Sequence, residues 1–144
     1  MSVWFDKSID LAALTSLGAN NMGGFLGIEF VEYGDDWLKA RMPVDPRTRQ
    51  PFGRLHGGAS VVLAETLASV GGALTVDPSV SAAVGMEINA NHIRPAKEGH
   101  VYGVAQLEAR GRSTQVWTIR ITDEDRRLVC LSRMTLALIP VNRA

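Results

Sequence analysis

Glu65 is the only ionisable side chain in the run GGASVVLAETLASVGGALTV, residues 57–76, and a His-Gly-Gly step at His56, Gly57 and Gly58 leads into it. A glutamate can attack an electrophilic carbon as a carboxylate nucleophile, or take a proton from water as a general base. Burying a lone carboxylate among apolar groups is costly, or drives it to neutrality, so an acid in such a setting argues for use. The plainer possibility is a helix with one wet edge on which Glu65 sits. No other charge marks such an edge: Leu63, Leu67, Val70 and Leu74 share one side at helical spacing, and Val61, Val62, Ala68 and Ala73 carry apolar character round the cylinder. The pattern predicts a helix enclosed nearly all round, with Glu65 as its working acid.

Positioning that acid falls to a helix-and-strand frame. Ser8 is placed to cap a short helix, with Ile9, Leu11, Ala12, Leu14 and Leu17 at apolar spacing and Gly18 ending it. Residues 25–33 and 36–43 read as two strands of a hairpin turning at Gly34 and Asp35. Residues 45–55, with Pro46, Pro51 and Gly53, form an irregular loop that delivers the chain to the long helix. Beyond Pro78, residues 82–94, 99–109, 112–122 and 128–139 read as four more strands. In the third, Gln115, Trp117, Ile119 and Ile121 alternate with Val116, Thr118, Arg120 and Thr122. One long helix among six strands gives an α+β layout with too few helices for a doubly wound sheet.

Composition narrows the partners. Residues 1–144 suit a single domain, without repeat or linker. Fifteen basic and fifteen acidic residues cancel, with no block of like charge, which argues against nucleic acid or an anionic membrane as a partner. One cysteine, Cys130, and three scattered histidines offer no metal-ligand spacing, and a single thiol suits a reducing, cytoplasmic location with Cys130 in the core. The start, MSVWFDKSIDLAALTSLG, lacks the form of an export signal. Four glycines, Ser and Thr residues and a central glutamate make residues 57–76 a core helix rather than a membrane span.

Three segments, QPFGRLHGGASVVLAE, GMEINANHIRPAKEG and GRSTQVWTIRITDEDRRLVCLSR, resemble the hotdog-fold acyl-CoA thioesterases, and the likeness spans nearly the whole chain. It is greatest to the group holding the glutamate-type 4-hydroxybenzoyl-CoA thioesterase, the 1,4-dihydroxy-2-naphthoyl-CoA thioesterase and the enterobactin proofreading thioesterase. A bare His-Gly-Gly is weak evidence. Its combination with a preceding glutamine, a glutamate on the next helix and an Asn-His-x-Arg strand is specific.

The resemblance implies a hotdog fold, a curved antiparallel sheet wrapped round a long central helix. It also implies an edge-to-edge dimer, doubled to a homotetramer, with each site at the dimer interface. There the glutamate of one subunit faces the loop of its neighbour. By the residue-level match Glu65 is that glutamate, Gln50 and His56 are the loop residues near the thioester carbonyl, Gly57 is the backbone donor and Ser69 the helix hydroxyl one turn past the acid. Physical chemistry supports the set: thioester hydrolysis needs a nucleophile or base, and donors aimed at the oxygen that gains charge. A helix-start amide such as that of Gly57 lacks an internal partner and lies at the favourable end of the dipole.

The implied reaction is hydrolysis of an aryl- or medium-size acyl-CoA, or an acyl-carrier-protein thioester, with no cofactor because coenzyme A is part of the substrate. His92, Arg94, Arg112 and Ser113 are candidates for coenzyme A contacts, because its phosphates call for cationic or hydroxyl donors at the surface. Two other hotdog activities compete. A 3-hydroxyacyl-thioester dehydratase also pairs a loop histidine with a helix carboxylate, but Pro51 to His56 here runs directly into the helix. A noncatalytic acyl-CoA-sensing domain has no need of the acid. A serine esterase is disfavoured because no Gly-x-Ser-x-Gly elbow occurs.

Overall fold

The computed structural model describes residues 1–142, in the order α1 (Leu11–Leu17), α2 (Met22–Phe25), β1 (Glu29–Tyr33), β2 (Trp37–Pro43), α3 (Gly57–Leu74), β3 (Ser81–His92), β4 (His100–Arg110), β5 (Thr114–Thr122) and β6 (Leu128–Pro140). The strands form one antiparallel sheet ordered β1-β2-β4-β5-β6-β3. This is the hotdog fold: the sheet curves round α3. Register shifts at 30/32, 85/87, 107/109 and 121/122 supply bends of the kind that curvature needs.

The core lies between sheet and helix. Leu63, Ala64, Leu67 and Ala68 of α3 are fully buried against Leu38, Ala40, Met42, Val101, Ala105, Ile119, Ile121, Met134 and Leu136. The alternation expected in β5 holds, with Gln115, Trp117, Ile119 and Ile121 buried. Close approach demands small residues at the far end of α3. A Cβ on Gly72 would stand 2.3 Å from Leu136 Cδ1. Cys130 is buried, and burial pushes its thiol up, away from the thiolate form that a nucleophile needs.

Three sequence expectations need correction. Asp10, not Ser8, caps α1, its Oδ1 accepting from the Ala13 amide at 3.0 Å. The strand expected from residue 25 begins at Glu29, because Met22–Phe25 close a helical turn first and Gly27, at φ +74°, redirects the chain. The helix ends at Leu74, where Thr75 caps it.

A larger correction concerns α3. It is not enclosed nearly all round: Gly58, Glu65 and Ala73 are exposed, with Val62, Thr66 and Ser69 half-buried beside them. A six-stranded sheet covers one side of a helix, and the stripe left open here is apolar or small except for Glu65. The plainer possibility, an acid on an open edge, is therefore what a single chain shows.

A buried polar chain ties the end of α3 to β5. Thr75 Oγ1 donates to the Gly72 carbonyl at 2.8 Å, Gln115 Nε2 to Thr75 Oγ1 at 2.7 Å, and Trp117 Nε1 to Gln115 Oε1 at 2.9 Å. Replacing Gln115 strands a buried indole N–H, so Gln115→Leu is expected to lower unfolding free energy by about 1–3 kcal/mol in denaturant titration. A loss within 0.3 kcal/mol, on the order of measurement error, would show the network to be dispensable.

Candidate active site

α3 runs antiparallel along β3, one of the sheet's two edge strands. The His92 ring lies at Gly57, Gly85 lies beside the Glu65 carboxylate, and Ala83 lies at Gly72. Everything on this side of the helix therefore has an address along one strand.

At the His92 end is a pocket of about 330 Å3, lined among others by Gln50, Arg54, Gly57, Ser60, His92 and Arg94. The loop before α3 shapes it. The Gln50 amide donates to the Arg54 carbonyl at 2.8 Å, the Gly53 amide to the Gln50 carbonyl at 3.1 Å, and Gly53 takes φ +81°. Gln50 Oε1 accepts from the Phe52 amide, which fixes the side chain and leaves its Nε2 hydrogens free of any partner among the described residues. The Gly57 amide is likewise uncommitted among the described residues, as expected of the first N–H of a helix. His56 caps α3: its Nδ1 accepts from the Gly58 amide at 2.8 Å, which assigns the neutral ring's proton to Nε2. His56 is exposed and does not line the pocket. The loop and helix start thus supply neutral N–H donors without a carboxylate, a set suited to an oxygen that gains negative charge.

The acid is elsewhere. Glu65 lies eight residues, about 12 Å, farther along α3. Ser69 sits one turn beyond it, half-buried on the same open stripe. Of the proposed coenzyme A contacts, His92 and Arg94 line the donor pocket, and Arg94 Nη1 donates to the Leu128 carbonyl at 3.0 Å. Arg112 and Ser113 do not join them. They form the β4–β5 turn, where the Ser113 carbonyl accepts from the Leu138 amide, and Leu138 pairs with Ala83. That turn is about nine residues of strand, roughly 30 Å, from His92. Ser60, 2% exposed in the first turn of α3, was missed by sequence reasoning, because a serine in a helix carries no signal of its own.

The profile of the thioesterase superfamily matches residues 52–130. A 1,4-dihydroxy-2-naphthoyl-CoA hydrolase of Escherichia coli is 53% identical over 137 residues, 95% of this chain and 99% of that one. The proofreading thioesterase EntH of Cronobacter turicensis is 46% identical over 95% of this chain and 98% of its own. Among solved structures, a Pseudomonas aeruginosa thioesterase, crystallised as a glutamine-to-alanine mutant, superposes with a TM-score of 0.95 at 46% identity. The match covers 97% of this chain and 100% of that one.

The space at Gly57 is filled by a side chain that can move. A Cβ there would stand 2.8 Å from His92 Nε2, the tip of an exposed ring that can swing away, whereas at Gly72 it meets packed Leu136. Gly57→Ala is expected to cost under about 1 kcal/mol and to move the His92 ring signals in NMR, while Gly72→Ala costs about 1–3 kcal/mol. Equal losses would make Gly57 a packing residue.

Proposed function

The chain belongs to the thioesterase superfamily and is a thioester hydrolase, and from that premise we propose that it cleaves aryl- or medium-size acyl-CoA thioesters to free acid and coenzyme A, in a site shared by two copies. The observation that carries this reading is the separation of Glu65 from the N–H donors along one rigid helix beside β3, a strand with one open edge among the described residues. The outer edge of β3 offers a row of free backbone groups, and Val84 and Met86 on it are exposed. Antiparallel pairing of β3 with its own copy places Glu65, level with Gly85, opposite the partner's Gly57, level with the partner's His92, when the two-fold axis passes between Ile88 and Asn89.

In that site the Gly57 amide and Gln50 Nε2 of one subunit donate to the thioester oxygen, with the His56 Nε2–H at the loop's rim. Glu65 of the other subunit attacks the acyl carbon. The C–S bond breaks, coenzyme A leaves as its thiolate, and water hydrolyses the resulting mixed anhydride to return the carboxylate. The alternative route has Glu65 take a proton from the attacking water, with the same products. Either way the thiolate is an easy leaving group, its conjugate acid having a pKa of about 8.5. Arg94, with Lys97 in the adjoining groove, supplies cations for the phosphates at the pocket mouth. On this reading the protein works in the cytoplasm, which a coenzyme A substrate and a free buried thiol both suit.

Two measurements test this. Glu65→Gln is expected to fold normally and to release thiol from benzoyl-CoA about 10²–10⁴-fold more slowly than wild type. A rate within threefold of wild type, on the order of assay scatter, would show that Glu65 is not the acting acid, and no thiol released by wild type from any acyl-CoA would favour the noncatalytic sensing reading. Mixing Glu65→Gln with Gln50→Ala subunits after denaturation and refolding should restore about a quarter of wild-type activity, since half the dimers then hold one intact site of two. No recovery above either variant alone would place the acid and the donors in the same subunit.

A further inference from the structure

Among the described residues the buried polar side chains are those of Thr48, Ser60, Thr75, Gln115 and Ser132. Four of them are committed within the fold. Thr48 Oγ1 donates to the Pro43 carbonyl at 2.7 Å, Thr75 Oγ1 to the Gly72 carbonyl at 2.8 Å and Ser132 Oγ to the Asn89 carbonyl at 2.8 Å, while Gln115 bonds both Thr75 and Trp117. Ser60, 2% exposed, is the exception: its hydroxyl has no partner among the described residues. No side-chain oxygen sealed from solvent lacks a partner among those residues, so the Ser60 oxygen is an open one, and the space it lines is the donor pocket of Gln50 and Gly57.

Local geometry explains why this hydroxyl turns to the pocket. A hydroxyl inside a helix can settle on the carbonyl one turn back, as Thr15 does on Leu11 at 3.1 Å. For Ser60 that carbonyl belongs to His56, and it already accepts from the amides of Ala59 at 3.0 Å and Ser60 at 3.3 Å. Gly57 and Ser60 stand three residues apart on one face of α3, and the Cα–Cβ bond of a helical residue tilts toward the helix start, here toward the Gly57 amide. His92 lines the same pocket but makes no hydrogen bond with Ser60, so no base is in place to turn the hydroxyl into a nucleophile. Its remaining use is donation. Packing gives no reason for a serine, because alanine is the better helix former and leaves no hydroxyl to satisfy.

We propose that Ser60 is a third donor to the thioester oxygen, beside the Gly57 amide and Gln50 Nε2. The inference rests on the hydrolytic reading of this pocket. A carbonyl oxygen has two lone pairs, and the oxyanion formed when the acyl carbon is attacked has a third. A donor that finds its acceptor only as charge develops stabilises the transition state without tightening the substrate complex, so it acts on kcat and leaves KM alone. With it the pocket presents one backbone N–H, one amide N–H and one O–H, all neutral, to a single atom.

The test is thiol release from benzoyl-CoA by Ser60→Ala and Ser60→Cys. Ser60→Ala is expected to unfold at the same or a higher denaturant concentration than wild type, because no bond within the chain is lost. Its kcat is expected to fall at least tenfold, toward the roughly 10²–10³-fold that loss of one oxyanion donor costs, with KM within about threefold of wild type. Ser60→Cys fills the same space with a weak donor and is expected to stay as slow as Ser60→Ala. Four results overturn the proposal: a kcat for Ser60→Ala within about threefold of wild type, a raised KM at unchanged kcat, recovery of wild-type activity by Ser60→Cys, or loss of folding in Ser60→Ala, which would show the hydroxyl to serve the fold. In all four wild type turns over. Wild type that releases no thiol from any acyl-CoA is a different failure, that of the hydrolytic reading itself, and the donor role falls with it.

Discussion

α3 is rigid, and that rigidity decides how the molecule can work. The donors at its start and the acid at its middle are held about 12 Å apart by helix geometry, a distance no side-chain rotation closes. A carbonyl carbon must lie within about 3.5 Å of its attacking oxygen while its own oxygen touches the donors. On the proposed reading a single subunit therefore holds two half-sites, and β3, alongside which both lie, is the line along which two copies meet. The same strand that closes the core on one side leaves its other edge unpaired.

This constraint also explains the composition of α3. A helix in one subunit needs an apolar face for its own sheet and, if a second copy packs nearby, small or apolar residues on the opposite face as well. Gly58, Val62, Ser69 and Ala73 fit the second demand, and Glu65 is the one polar intrusion. The sequence pattern records both demands at once and does not tell them apart. That is why the run from residue 57 reads as wholly enclosed, although the subunit leaves one stripe open. In the proposed dimer the partner covers that stripe, so the periodicity would report burial in the assembly as well as in the subunit.

The frame was otherwise legible where local chemistry decides it. The β5 alternation, the hairpin at Gly34, and the helix start behind His56 follow from side-chain periodicity, turn residues and capping. Less legible were features set by tertiary contact. The turn of α2 comes from residues with poor helix propensity, Gly23 and Gly24, and exists because Gly24 can press against the carbonyl of Gly18. The grouping of candidate site residues follows the same divide. Gln50, Gly57, His92 and Arg94 converge because loop, helix start and the end of β3 meet at one corner, whereas Arg112 and Ser113, equally plausible as strand-end cations and hydroxyls, turn at the other end of the sheet.

Those two ends need not belong to different sites. Antiparallel pairing across β3 brings the far end of one subunit toward the near end of the other: with a two-fold axis between Ile88 and Asn89, a residue level with Ala83 in one copy stands about two residues beyond His92 of its partner. Arg112 and Ser113 lie at the level of Ala83 through Leu138, two strands in from that edge. In the proposed dimer the symmetry that would join Glu65 to the partner's donors also carries this turn to the end of the sheet where the partner's Arg94 lies. In that dimer the distance that matters for a phosphate is the one across the interface, and the separation within one chain does not count against Arg112 and Ser113.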